Sequence, residues 1–225
     1  MSVRRLMIGL GIGLVAVATH VAAFVTGSYY TFRQVAAADG AHGRFVGTPK
    51  TEWIDGRDMR LTEDFVYIDP MERAWLAPQG SVINGASIPR ALWTIVGGPF
   101  EGKYRNASIV HDVACEKMDQ PYHAVHRMFY DACLAGGVEE NEAGRLYYAV
   151  AMFGPRWVFE TMTVFEANSS GDDTPPEPKV IQVAKELVVN PPTPGELEKM
   201  EALFRSDPPT PEEIERLAKV NAESP

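Results

Sequence analysis

The chain has 225 residues, 45% of them hydrophobic and 23% charged, which is ordinary for one globular domain with extra segments at its ends. A formal charge of -9 argues against a nucleic-acid partner, because no basic stripe exists to displace counterions. Two cysteines, Cys115 and Cys133, are too few for a disulfide scaffold or a Cys-rich zinc site.

In chain order, Arg4 and Arg5 precede an apolar stretch from Leu6 to Gly27. As a helix it would be about 33 Å long, enough to span a bilayer. Residues 1–30 therefore read as a single-pass transmembrane anchor, with Tyr29, Tyr30 and Phe32 at the far interface, or as a signal peptide cleaved near Val21-Ala22-Ala23. Either reading exports the rest of the chain to the periplasm or exterior. Residues 31–43 form a linker, and residues 44–167 a globular domain.

Within that domain "DFVYID" ends in the turn signal Asp69-Pro70 before "AWLAP", which predicts a small hairpin. A loop at Asn84-Gly85 leads to Pro89, placed to start a short helix. One helix is expected from about Tyr104 to Lys117, and a second from Pro121 to Gly136-Gly137 with Val125, Met128, Phe129 and Ala132 on one apolar face. A third runs from about Glu142 to Gly154. Pro155 ends or kinks it, and "RWVFETMTVF" is read as a further helix. Beyond "NSSGDDTPPEPK", residues 168–225 form a Pro-rich acidic tail with two short repeats, "PPTPGELEKMEAL" and "PPTPEEIERLAKV". Each repeat carries a capping box (Thr193 with Glu196, Thr210 with Glu213). Helices this short are marginal alone. The tail is thus read as disordered with nascent helices, or as a docking segment for a protein partner.

The chemistry concentrates in "SIVHDVACEK", where His111 and Asp112 sit inside an apolar helical run. Neighbours on a helix point about 100° apart, so the two cannot share a partner. His126 in "HRMFYDAC", on the next helix, is the natural partner for His111, and the Asn84 loop for Asp112.

The order of "NGASIP", "HD" and "HRMFYDAC" resembles the family called domain of unknown function 1353, found in bacteria and phages. Its usual pattern reads T-D-G-A-S-I-P, then H-D, then A-D-x-x-F-Y-E-A, and the resemblance covers roughly residues 54–154. "HRMFYDAC" and "YYAVAMFG" are also similar to the D-x-x-F-Y-E-D-M and Y-Y-x-A-V-x-x-F-G segments of bacterial secreted phospholipases A(2). That resemblance implies a mainly α fold, an antiparallel helix pair plus a third helix. It also implies calcium-assisted hydrolysis of a lipid ester at a membrane. His111 would be the general base, His126 its partner, and Tyr130 a hydrogen-bonding neighbour. Asp112, Asn84 and the carbonyl of Gly85 or Ala86 would hold Ca²⁺. Trp93, Phe100, Trp157 and Phe159 are candidates for an acyl pocket or a membrane-facing collar, or are core residues. Two positions depart from the patterns: Asn84 and His126 each stand where a carboxylate is usual, and each removes negative charge. Three other readings therefore stay open. One is a hydrogen-bonded core network of His111, Asp112 and His126, without catalysis. Another is an envelope or phage-associated interaction module with a decayed site. The last is a transition-metal site joining His111, His126 and a carboxylate. Helix geometry predicts no Cys115–Cys133 disulfide if the two histidines meet.

Overall fold

The computed structural model describes residues 40–223 apart from residues 57, 86, 87, 89, 99, 101 and 166–177. The described residues are 44% helix and 26% strand, so the expectation of a mainly α fold of phospholipase A(2) type is overturned. Their secondary-structure elements lie in one unit that begins at His42.

Six short strands come first. β1 (Arg44–Val46), β4 (Phe65–Ile68) and β5 (Ala74–Ala77) form one antiparallel sheet in the order β1-β4-β5. β2 (Thr51–Asp55), β3 (Asp58–Leu61) and β6 (Val82–Ile83) form a second, in the order β2-β3-β6. The hairpin read at Asp69-Pro70 is β4–β5. Its turn is organised by the buried Asp69 carboxylate, which accepts from the Met71 and Arg73 N–H groups at 2.9 Å and from Trp75 Nε1 at 3.0 Å.

A 3-10 turn (Arg90–Leu92) and α1 (Trp93–Val96) lead to three helices: α2 (Arg105–Lys117), α3 (Tyr122–Ala135) and α4 (Glu140–Phe153). Their bounds follow the apolar periodicity of the sequence. Ile109, Val113, Val125, Phe129, Leu146 and Val150 are buried in one core with Phe65, Tyr67 and Ile83 from the strands. The helices thus pack against the strands in one core.

"RWVFETMTVF" is a strand, not a helix. β7 (Arg156–Phe165) pairs antiparallel with β8 (Pro178–Leu187) in unbroken register, from Arg156 opposite Leu187 to Phe165 opposite Pro178. Its β-branched and aromatic residues favour a pleated ribbon. Arg156, at the base of that ribbon, is buried and donates to the Ala151 and Met152 carbonyls, closing the end of α4.

The expected disorder of the tail is also corrected. α5 (Pro194–Ser206) and α6 (Pro211–Glu223) form with both capping boxes made: Glu196 and Glu213 each accept from the N-cap N–H and return their own N–H to the threonine hydroxyl. Tertiary burial supplies what these short helices lack alone. Met200, Phe204 and Ile214 are in the core. A methyl group on Gly144 would come within 3.2 Å of the Phe204 ring, so the glycine admits that ring against α4. Arg127 donates to Glu215 at 2.8 Å and Glu212 at 3.2 Å, and Tyr147 donates to Glu215 at 3.2 Å.

No helix among the described residues is long and apolar enough to cross a membrane. The anchor or signal segment read over Leu6–Gly27 lies outside the described residues. Cys115 and Cys133 are both buried and unbridged.

Phe204→Ala is expected to destabilise the protein by about 3–5 kcal/mol, the usual cost of emptying a large aromatic site. Denaturant unfolding of the full chain checks this. An unchanged midpoint would mean that the tail helices do not belong to the folded unit.

Candidate functional site

α2 places His111 and Asp112 on different faces, as the helical offset requires. His111 is fully buried against α3, with its ring 4.5 Å from the Phe129 ring centroid to centroid and 5.2 Å from the ring of His126. Asp112 points to the loop after β6. Its Oδ2 accepts from the Gly85 N–H at 2.6 Å. Gly85 has a positive φ of 68°, a left-handed conformation that glycine adopts without strain, and this turns its N–H toward the carboxylate. Asn84 is half-buried beside it. Ala86, Ser87 and Pro89 lie outside the described residues.

The histidine pair is directly bonded: His111 Nε2 and His126 Nδ1 are 2.9 Å apart. The direction of that bond follows from its far end. His126 Nε2 lies 3.0 Å from the Pro155 carbonyl oxygen, which can only accept, so Nε2 carries a hydrogen. Burial is the main cause that pushes the His126 pKa down to about 3, against the Pro155 hydrogen bond and with help from Arg156 and His123. His126 is therefore neutral, and its Nδ1 holds a lone pair. His111 Nε2–H must donate to it. Burial, with His126 second, holds His111 well below the usual histidine range, so this ring is neutral as well. Its lone pair is on Nδ1. One carbonyl thus determines the tautomers of two rings, each 1% exposed or less.

Cys115 stands one turn after His111, with Sγ 3.6 Å from His111 Nε2. The ligand-type atoms of His111, Cys115 and His126 all lie within 4.8 Å of one another. The transition-metal reading expects a carboxylate as third ligand; the structure brings a thiol. The signal is in the sequence as a histidine and a cysteine four residues apart on one helix face.

Tyr130 is not brought to the histidine pair by any contact among the described residues. Its ring packs 5.5 Å from that of Tyr147 and under the Arg127 guanidinium. A cavity of about 780 Å³ adjoins His126, walled by Tyr122, Tyr147, Ala151, Val158, Leu187 and Ala218 among others. Trp93, Phe100, Trp157 and Phe159 do not line it. Trp157 is core, with its indole N–H on the Gln120 carbonyl, and the Trp93 indole donates to the Ile88 carbonyl.

The comparisons agree with the family read from the motifs. Residues 59–150 match the family described as "Protein of unknown function (DUF1353)". The chain is 42% identical over 137 residues to "Uncharacterized protein y4jT" and 40% identical over 103 residues to "Uncharacterized protein y4iH", both of Sinorhizobium fredii (strain NBRC 101917 / NGR234). These matches cover 59% and 46% of this chain but 41% and 43% of the relatives, so the chain spans about two fifths of their length. No solved structure matches the chain.

The two buried rings make stability depend on pH in one direction. Their folded pKa values lie below the ordinary 6.5, so the unfolded chain binds more protons between the two values. The contribution of His126 is complete above about pH 6.5 and is lost as pH falls toward 3, at up to about 1.4 kcal/mol per pH unit, and His111 adds a loss in the same direction. Urea unfolding between pH 7 and 4 is expected to show this slope, and His126→Gln to reduce it. A slope that His126→Gln leaves unchanged would show that the ring is not buried in the neutral form.

Proposed function

With residues 59–150 belonging to the DUF1353 family, whose description assigns no activity, we propose from the site itself that the protein hydrolyses carboxylic esters, with His111 as general base. The observation that carries this reading is the ordered chain from the Pro155 carbonyl through His126 to His111, which puts the lone pair of a neutral imidazole on His111 Nδ1. That nitrogen would take the proton from an attacking water, while Nε2–H stays bonded to His126 as charge develops on the ring. His126 orients the base as a carboxylate does in other hydrolases, but it adds no charge to balance an imidazolium. The base is therefore well oriented and weak.

The donor set at Asp112 fits a weak calcium site. The Gly85 hydrogen bond keeps the carboxylate against the loop after β6, and the Asn84 side chain and a loop carbonyl would add the neutral oxygens. With only one carboxylate, binding would be weak. Calcium held there would polarise the ester carbonyl. The lipid character of the substrate and a site of action outside the cytoplasm rest on the phospholipase-like motifs and on the Arg4-Arg5 segment.

One observation favours a second reading, an envelope or phage-associated interaction module with a silent site: both histidines are closed off from solvent. The same assay separates the two. Release of fatty acid from phospholipid vesicles, and of chromophore from a short-chain ester, is expected to rise with millimolar Ca²⁺. His111→Asn should lower it by about 100-fold or more, the scale of a lost general base. His126→Asp should raise it and move the acid limb of the pH profile upward, because a carboxylate stabilises charged His111. Asn84→Asp should strengthen the calcium response. Absence of hydrolysis in wild type and in the Asn84→Asp/His126→Asp variant would overturn the enzyme and leave the interaction module.

A further inference from the structure

We propose that His111, Cys115 and His126 form a binding site for a borderline or soft transition-metal ion such as Zn²⁺, bound through His111 Nε2, His126 Nδ1 and the Cys115 thiolate. This goes beyond the hydrolytic reading and does not rest on it.

The separations fit the ion. Zinc lies about 2.0–2.1 Å from imidazole nitrogen and about 2.3 Å from thiolate sulfur, so a tetrahedral centre puts two nitrogens about 3.4 Å apart and nitrogen and sulfur about 3.6 Å apart. The observed Cys115 Sγ to His111 Nε2 distance is 3.6 Å, and the two nitrogens are 2.9 Å apart. Opening the histidine pair by about half an ångström makes room for the metal. The surroundings are those of a ligand set. His126 already gives its other N–H to the Pro155 carbonyl, the arrangement that orients a metal-binding imidazole and strengthens its donor nitrogen. With its Nε2–H on that carbonyl, His126 turns its Nδ1 lone pair toward His111, and a lone pair is what coordinates.

Protons and charge balance. The thiol of Cys115 releases its proton to solvent as the sulfur–metal bond forms. The His111 proton moves from Nε2 to Nδ1, freeing the Nε2 lone pair for the metal. Zn²⁺ with one thiolate leaves a single positive charge in a buried site. The Asp112 carboxylate, three residues before Cys115 on the same helix, brings the formal sum to zero. That removes much of the cost of burying an ion. Metal and hydrogen bond use the same two nitrogens, so the metal-bound state and the base-and-partner state exclude each other.

The test uses the full chain, refolded under reducing conditions with Zn²⁺ or Co²⁺ and freed of excess metal. Native mass spectrometry is expected to show one Zn²⁺ per chain. The Co²⁺ form should show a thiolate-to-cobalt charge-transfer band in the near ultraviolet. Cys115→Ser should abolish the band and weaken Zn²⁺ binding by about 100-fold or more, beyond the effect of losing an outer partner. Should Cys115→Ser fail to fold, Cys133→Ala carries the test, because the chain has only two cysteines. Retention of the band in that variant assigns it to Cys115, and its loss overturns the site. No stoichiometric metal in the wild type, or a cobalt band that survives Cys115→Ser, would also overturn it. Because none of these readouts is catalytic, an absence of ester hydrolysis would leave the result unaffected.

Discussion

Two imidazoles lie in contact in the interior, and the nitrogens that face each other must hold one hydrogen between them. The Pro155 carbonyl supplies the answer at one end. It lies in the short connection between α4 and β7, where Gly154 and Pro155 stop the helix and start the ribbon. Arg156, the next residue, binds the last carbonyls of α4 and holds that connection in place. The helix end, the ribbon and the histidine pair are therefore one construction. Moving Pro155 would leave His126 with an unpaired buried N–H, at a cost of about 1–3 kcal/mol.

Neutrality is the chemical consequence. A carboxylate at position 126 would make His111 a stronger base and would itself be a buried charge. A histidine there keeps the interior uncharged and gives a weaker base with a fixed tautomer. The same neutrality prepares both nitrogens for a metal ion, with Cys115 as the third donor and Asp112 as the compensating charge. His126, which leaves the base weak, would thus be a donor to a soft cation. Asp112 lies on a different face of α2 from His111, pinned by the Gly85 N–H.

The three central helices and the β4–β5 hairpin are legible in the sequence because their signals are local: apolar spacing in α2 to α4, and a turn at Asp69-Pro70. The approach of His126 to His111 is legible from the order of motifs on successive helices. The features that sequence reasoning misses depend on distant partners. "RWVFETMTVF" has the β-branched content of a strand, but its mate lies beyond a Pro-rich connection that reads as a linker. Both capping boxes of the tail are visible, yet nothing local shows that Gly144 leaves a place for Phe204 or that Arg127 receives Glu212 and Glu215. Tyr130 reads as a neighbour of the histidines because it lies one turn from His126. The neighbouring face of α4 offers Tyr147 instead.

The central claim is that one carbonyl sets both tautomers, and nitrogen-15 NMR of imidazole-labelled, metal-free protein at pH 7 reads it directly. Both rings are expected to be neutral with hydrogen on Nε2, and a through-bond coupling should link His111 Nε2 to His126 Nδ1. A protonated His126, or hydrogen on its Nδ1, would contradict the account.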